Sequence, residues 1–504
     1  MNYYITDNLA DAVSLKDIPQ VEYAALYNDL KERLKQDNYH VTHYFATPDG
    51  EHLRFYILLL DDAEHKVMIA SFTMEYYEDV ALPSLTALHP ALHPFEREIT
   101  ELYNVEFDSM PWNKPLRFPF NRRNRNSTMD NYPFYTIEGE SLHEVNVGPI
   151  HAGIIEPGAF RFICNGENVL HLEIALGYQH RGAENEFTST DNRLRQTLLA
   201  EGIAGDSAVS HATAYANTIE KLSGKRASKN LDIERSVALE LERMAMHIAD
   251  TGALSMDVGY QLGQVACEAL RTMTINTTQA WCGNRFGKSM IRPCGSNFPL
   301  TEQKIATIRK NIADVRRRYN EVREDILDAQ TLLVRFEQCG LVSTKEMTTI
   351  GGVGQAARAS GLKRDIRATH PSGFYAGEFT HEPILRTDGD VMSRLATRMD
   401  EVLQSADYIE RVLAGYAPSK HIAAPDYTAP LKVDALSFSL VEGWRGEICH
   451  VALTDSEGSI AKYKVKDPSL HNWLGLAIAV RSEGISDFPI NNKSFNLSYC
   501  GHDL

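Results

Sequence analysis

Three stretches of this chain repeat their apolar residues at intervals of three and four, a period that fits helices lying side by side and little else. Residues 232–250 put Ile233, Val237, Leu241, Met244 and Ile248 on one stripe, which is expected to end before Gly252. Residues 301–340 carry Ile305, Ile308, Ile312, Val315, Tyr319, Val322, Ile326, Leu333 and Phe336 in the same way, as one long helix. Residues 389–415 repeat the design with Val391, Leu395, Met399, Val402, Ile409 and Val412. A helix with one apolar stripe must bury it against a neighbour, so three of them imply a bundle.

The flanks read differently. The first 110 residues suggest a small α+β unit: helices over 23–38 and 94–103, and strands over 52–60 and 66–74, the former after the Pro48-Asp49-Gly50 turn. Residues 111–146 are rich in Pro, Asn and Arg and read as an extended linker with a solvated face. A strand pair is expected over 159–163 and 168–173, and further strands in SFSLVEG and EICHVALTD near the C-terminus. The fold class is therefore α+β. A small N-terminal α/β domain (1–110) is followed by the linker (111–146) and a mainly helical bundle domain with a peripheral short β-sheet and a mixed C-terminal segment (147–504).

Composition excludes several roles. With 43% hydrophobic and 23% charged residues the chain can bury a core, and a formal charge of −16 argues against nucleic acid or an anionic lipid surface as main partner. The N-terminus lacks the basic and apolar blocks of an export signal. Apolar runs such as Leu474–Val480 fall far short of the roughly 20 residues a membrane-spanning helix needs, so attachment to a membrane is expected to come through partners. Seven scattered cysteines without any Cys-x-x-Cys pair suit reduced thiols.

Two motifs invite an enzymatic reading. In AGDSAVSHATAY (204–215), Ser207 and His211 share a helix face, yet a serine hydrolase also needs a Gly-x-Ser-x-Gly elbow or a downstream Asp-x-x-His, and such a tetrad, Asp62–His65, stands upstream in the N-terminal unit. GVGQAA (352–357) matches a relaxed dinucleotide fingerprint, but the four residues before it are too few for the required strand and no acidic residue stands about 20 positions on. A tight turn ahead of a short helix explains these glycines.

Residues 148–184 (GPIHAGIIEPGAFRFICNGENVLHLEIALGYQHRGAE), 234–259, 284–293 (NRFGKSMIRP), 359–371 (ASGLKRDIRATHP) and 441–447 (VEGWRGE) resemble the large subunit of membrane-bound energy-converting nickel-iron hydrogenases. That subunit is homologous to the quinone-pocket subunit of respiratory complex I. FEREITELYNVEF (95–107) resembles its small neighbour, and fusion of the two is typical of formate hydrogenlyase-type complexes.

The resemblance implies a metal site whose ligands are missing here. The four cysteine positions fall on Ala204, Ser207, Ser498 and Gly501, and Cys500 lies one residue off the pattern. Nickel in these enzymes is held by deprotonated sulfur; a serine hydroxyl does not ionise at neutral pH, and alanine and glycine offer no ligand. No Ni-Fe centre is expected, and no cofactor in this chain. The complex I pattern is also incomplete: His151 matches, but the second histidine falls on Ile155 and the quinone-binding tyrosine near Gly205. What the resemblance leaves is a candidate cavity of His151, His180, Arg181, Glu184, Asp206, His211 and Tyr215, coupling protons to redox change. The partners it implies are a small subunit with a 4Fe-4S cluster, a ferredoxin-like subunit and membrane-embedded ion-translocating subunits, on the cytoplasmic side of the inner membrane. The alternatives are an inert scaffold or a quinone-reducing subunit.

Overall fold

The structure, a computed structural model, describes residues 1–76, 81–377, 379–418 and 422–504. Near the N-terminus an antiparallel sheet takes the order Tyr4–Thr6, Lys66–Glu75, His52–Asp61, Tyr39–Asp49. Its central strand contains the run FYILLL, and both faces are buried. Phe55, Ile57 and Leu59 meet Leu26 and Leu30 of the Tyr23–Arg33 helix, while Tyr56, Leu58 and Leu60 face the other way. The strand Tyr39–Asp49 was not anticipated, because its histidines and threonines at 40, 42 and 43 mask the apolar alternation; all three are buried.

The bundle holds the largest core. It consists of Lys229–Asp257, Gln261–Cys282, Glu302–Asp328 and Val391–Ala414, with the predicted stripes inside. Three of these helices open on a side-chain cap, from Ser228, Thr301 and Asp390. Two boundaries differ from expectation. The first helix runs through Gly252, where a Cβ would come within 2.9 Å of Cys267 Cβ, so the glycine admits the next helix rather than ending its own. The helix expected over 301–340 breaks at Ala329 (ψ 92°) and resumes at Gln330–Phe336, which turns Leu332 and Phe336 into the core.

A second sheet, in the order Ile460–Lys466, Glu447–Thr454, Ala435–Glu442, Val13–Ser14, ties the two ends of the chain together. Its Leu436, Phe438, Leu440 and Val451 pack on Tyr56, Leu58 and Leu60 of the N-terminal sheet. A third sheet, Leu142–Val147, Ala159–Asn165 and Asn168–Ala175, lies against the helix Ser469–Ala479. Of the stretch 111–146, read as an extended linker, Leu142–Val147 is a strand of the third sheet and Met129–Asn131 a 3-10 turn, and the rest is not simply a solvated face. Leu116, Phe118 and Tyr132 are buried, and Arg117 is buried against Glu98 at 2.5 Å with its Nε donating to the His502 carbonyl at 2.6 Å.

Candidate functional site

Two loops meet at the end of the bundle. One, Ala204–Ser207, leads into the helix Ala208–Ser223; the other, Asn496–Ser498, joins Phe488–Phe495 to the terminal helix Tyr499–Asp503. Arg445 fastens them together. Its Nη1 and Nη2 donate to the two carboxylate oxygens of Asp206 at 2.7 Å each, and its Nε donates to the Asn496 carbonyl at 2.5 Å. Trp444 lies under the guanidinium at 3.9 Å and donates its indole N–H to the Asp206 carbonyl at 2.9 Å. Arg445 is buried while the Asp206 side chain keeps 37% exposure, so the pair shows its carboxylate edge to the outside. Burial alone would lower the Arg445 pKa, but the charge and hydrogen bonds of Asp206 hold it above the ordinary arginine value. Arg181 makes a second clamp, donating to the carbonyls of Gly202, Ile203 and Cys500 at 2.6, 2.8 and 3.0 Å.

Behind Arg445 runs a buried chain of hydrogen bonds. His211 Nε2 is 3.1 Å from Asp467 Oδ2, His211 Nδ1 is 3.0 Å from His450 Nε2, and His450 Nδ1 is 2.8 Å from the Tyr463 hydroxyl. One assignment satisfies every contact: Tyr463 donates to His450, His450 to His211, and His211 to an ionised Asp467. Burial pushes the His450 pKa far down, with the neighbouring His211 adding to it, so this ring is neutral. Burial would raise the Asp467 carboxyl, but the His211 hydrogen bond and the nearby Arg445 charge bring it below its ordinary value. On the other side, Glu242 caps the Ala208–Ser223 helix from outside, accepting from the backbone N–H groups of Val209 and Ser210 at 2.8 and 3.2 Å and from the Ser210 hydroxyl. Burial lifts Glu242 to about 7, with those hydrogen bonds opposing.

The residues present do not suit a nickel-iron centre. Ala204 is fully buried, the Ser498 hydroxyl accepts from Gly501 N–H at 2.9 Å as a helix cap, and a Cβ at Gly501 would meet the Asp467 carboxyl at 2.7 Å. Ser207 Oγ is 3.5 Å from both Asp206 Oδ1 and Arg445 Nη1. The cation between the two loops is the Arg445 guanidinium. Among the described residues no group of three or more His, Cys, Asp or Glu side chains is arranged to hold a metal ion.

The seven residues of the candidate cavity divide. Arg181 and Asp206 join the loops, with His211 immediately beneath. His180 hydrogen-bonds the Asp503 carbonyl at 2.7 Å and lines a separate cavity of about 60 Å³ with Glu184, whose carboxylate takes Lys464 at 2.6 Å. His151 lies on the 148–158 loop, closed onto the Gly158 carbonyl at 2.9 Å. Tyr215 is a fully buried core residue stacked with Phe187, its hydroxyl 2.9 Å from Gln196 Oε1. Sequence reasoning missed Arg445, His450, Asp467 and Glu242. The available signals were an arginine inside VEGWRGE and a histidine on an otherwise apolar strand, ICHVAL.

Residues 17–122 match the family described as the respiratory-chain NADH dehydrogenase 30 Kd subunit, and residues 257–437 match the 49 Kd subunit. The chain joins a 30-kDa-type and a 49-kDa-type complex I domain. Hydrogenase-4 component G of Escherichia coli is 24% identical across 90% of this chain and 81% of that protein. Formate hydrogenlyase subunit 5 of the same organism is 26% identical across 83% and 76%. The fused C/D protein of NADH-quinone oxidoreductase from an Enterobacter species is 23% identical across 96% and 89%. A chain in the structure of the membrane-bound sulfane sulfur reductase, an archaeal respiratory membrane complex, superposes with a TM-score of 0.67 at 19% identity, over 73% of this chain and 100% of that one; this is a likeness of fold. Among the described residues of this complex I-type fusion, no helix is long and apolar enough to cross a membrane.

Proposed function

We propose that this chain is a peripheral subunit of a membrane-associated, complex I-like oxidoreductase related to the hydrogenases, in which the clamped loops form a redox and proton-coupling site without a Ni-Fe centre. The relatives are named as parts of hydrogenases and NADH-quinone oxidoreductases, which supports the assembly. The observation that carries the site is Arg445 seated between the Asp206 and Asn496 loops with the His211–Asp467 pair behind it. The hydrogen-bonded chain Tyr463–His450–His211–Asp467 behind the guanidinium gives a proton a path beside this pocket. The partners this reading calls for are a small subunit with a 4Fe-4S cluster against the Asp206 face, then ferredoxin-like and ion-translocating subunits, with the assembly on the cytoplasmic side of the inner membrane.

The test uses the whole complex. Asp206→Asn and His211→Gln are expected to lower redox-driven turnover by roughly 100- to 10,000-fold, the contribution typical of a positioned proton-transfer group, with every subunit still present in the purified assembly. Unchanged rates in both variants favour the inert scaffold instead. Elemental analysis giving one nickel per chain overturns the reading outright.

A further inference from the structure

A cavity of about 280 Å³ opens where the His93–Tyr103 helix and the 111–116 strap meet the Ser469–Ala479 helix. Its volume is close to the lower bound of about 300 Å³ for small-molecule sites. Trp112, Leu470 and Trp473 give it flat, apolar walls. Two nitrogen atoms in its lining residues stand without a partner although both side chains are at least 95% buried: His93 Nε2 and Trp473 Nε1. An indole nitrogen only donates. The His93 ring is neutral, since burial holds its pKa far below the ordinary histidine value and the adjacent Arg97 charge adds to this. Arg97 Nη1 approaches its Nδ1 at 3.4 Å, which leaves the proton on Nε2. Both orphans are therefore N–H donors, and a buried donor without an acceptor costs about 1–3 kcal/mol.

Three cations, Arg97, Lys114 and Arg481, and one carboxylate, Glu173, line the cavity. Glu173, its carboxylate, is taken up by Lys114 and by the Tyr135 backbone N–H at 2.6 Å. Arg97 stacks its guanidinium on Trp112 at 4.6 Å and donates to the backbone carbonyls of Lys114 and Pro115 rather than to a carboxylate. Arg481 lies exposed on the cavity wall and has no carboxylate partner among the described residues.

We propose that this cavity is a binding site for a small planar molecule with an apolar ring and a carboxylate, the ring lying among Trp112, Leu470 and Trp473 and the oxygens taking the two unpartnered N–H donors, with Arg481 at the rim. The site is independent of the redox pocket, and each proposal survives the failure of the other.

Titration of the purified full-length chain with 2-naphthoate, followed by tryptophan fluorescence and calorimetry, is the test. Saturable 1:1 binding is expected. Trp473→Phe, which keeps an aromatic ring and removes the donor, and Arg481→Gln, an exposed change that leaves the core intact, should each weaken Kd about tenfold or more, as loss of a hydrogen bond or contact to a charged group does. The uncharged 2-naphthalenemethanol should bind the parent protein at least about tenfold more weakly. Absence of saturable binding overturns the proposal, and so does an equal affinity of the parent protein for acid and alcohol.

Discussion

Arg445 shows what a single side chain does when it stands between two loops. A buried guanidinium is tolerated only when its charge is matched, and here Asp206 supplies a bidentate partner while the Asn496 carbonyl takes the remaining Nε proton. Glu242 is the contrasting case, a buried acid whose partners are neutral N–H and O–H groups. Its pKa rises from 4.5 to about 7 on folding. Such an acid keeps its proton in the folded state after the unfolded chain has released it. Its stabilising contribution is therefore fully present below the unfolded value and is lost as pH climbs towards the folded one, by roughly 3 kcal/mol at most. Glu242→Gln should flatten the decline of thermal stability between pH 5 and 7; identical slopes in variant and parent would refute this. Asp206 was legible in the sequence as a carboxylate in place of a ligand loop, and its partner was not, because 239 residues separate the two.

At the level of elements, the glycines of GVGQAA acquire a physical reason. Gly354 has φ +70°, and a Cβ on it would stand 1.9 Å from the Arg445 carbonyl oxygen and 2.5 Å from Gly446 Cα. Two backbones pass each other there, and that close approach positions the turn carrying Arg445. Gly354→Ala should destabilise the protein by about 2–3 kcal/mol in urea unfolding, and should lower turnover of the complex without altering any residue that faces the pocket. Wild-type stability in this variant would show that the backbone at 445–446 moves freely. Gly252 obeys the same rule inside a helix, and there a sequence reading naturally mistakes a packing glycine for a stop. The helical period itself was plain, since each stripe faces one continuous core.

For the whole molecule, the decisive feature is that the N-terminal and C-terminal sheets share a core and a buried charge cluster. Glu447 pairs with Lys466 of its own sheet at 2.6 Å and reaches across to the N-terminal sheet, where it accepts from Thr42 at 2.6 Å and lies 2.8 Å from His40 Nε2. Burial would raise the Glu447 carboxyl, but Lys466 and His40 hold it far below the ordinary glutamate value. Glu447→Gln strands a buried lysine and should cost about 3–5 kcal/mol, read as a lower melting temperature and as new protease cleavage between the two sheets; an unchanged melting temperature would mean the cluster is not what binds them. Periodicity and turn chemistry are local, so the amphipathic helices, the turn at Gly50 and the strands near residues 440 and 450 could be read from the chain by itself. That Ala204, Ser207, Ser498 and Gly501 offer no thiolate could be read as well, because it is a property of residue type. The placement of Arg445, His450 and Asp467 around these positions was decided only by tertiary structure. A buried charge selects its partner by distance and desolvation in three dimensions, and spacing along the sequence carries no record of that.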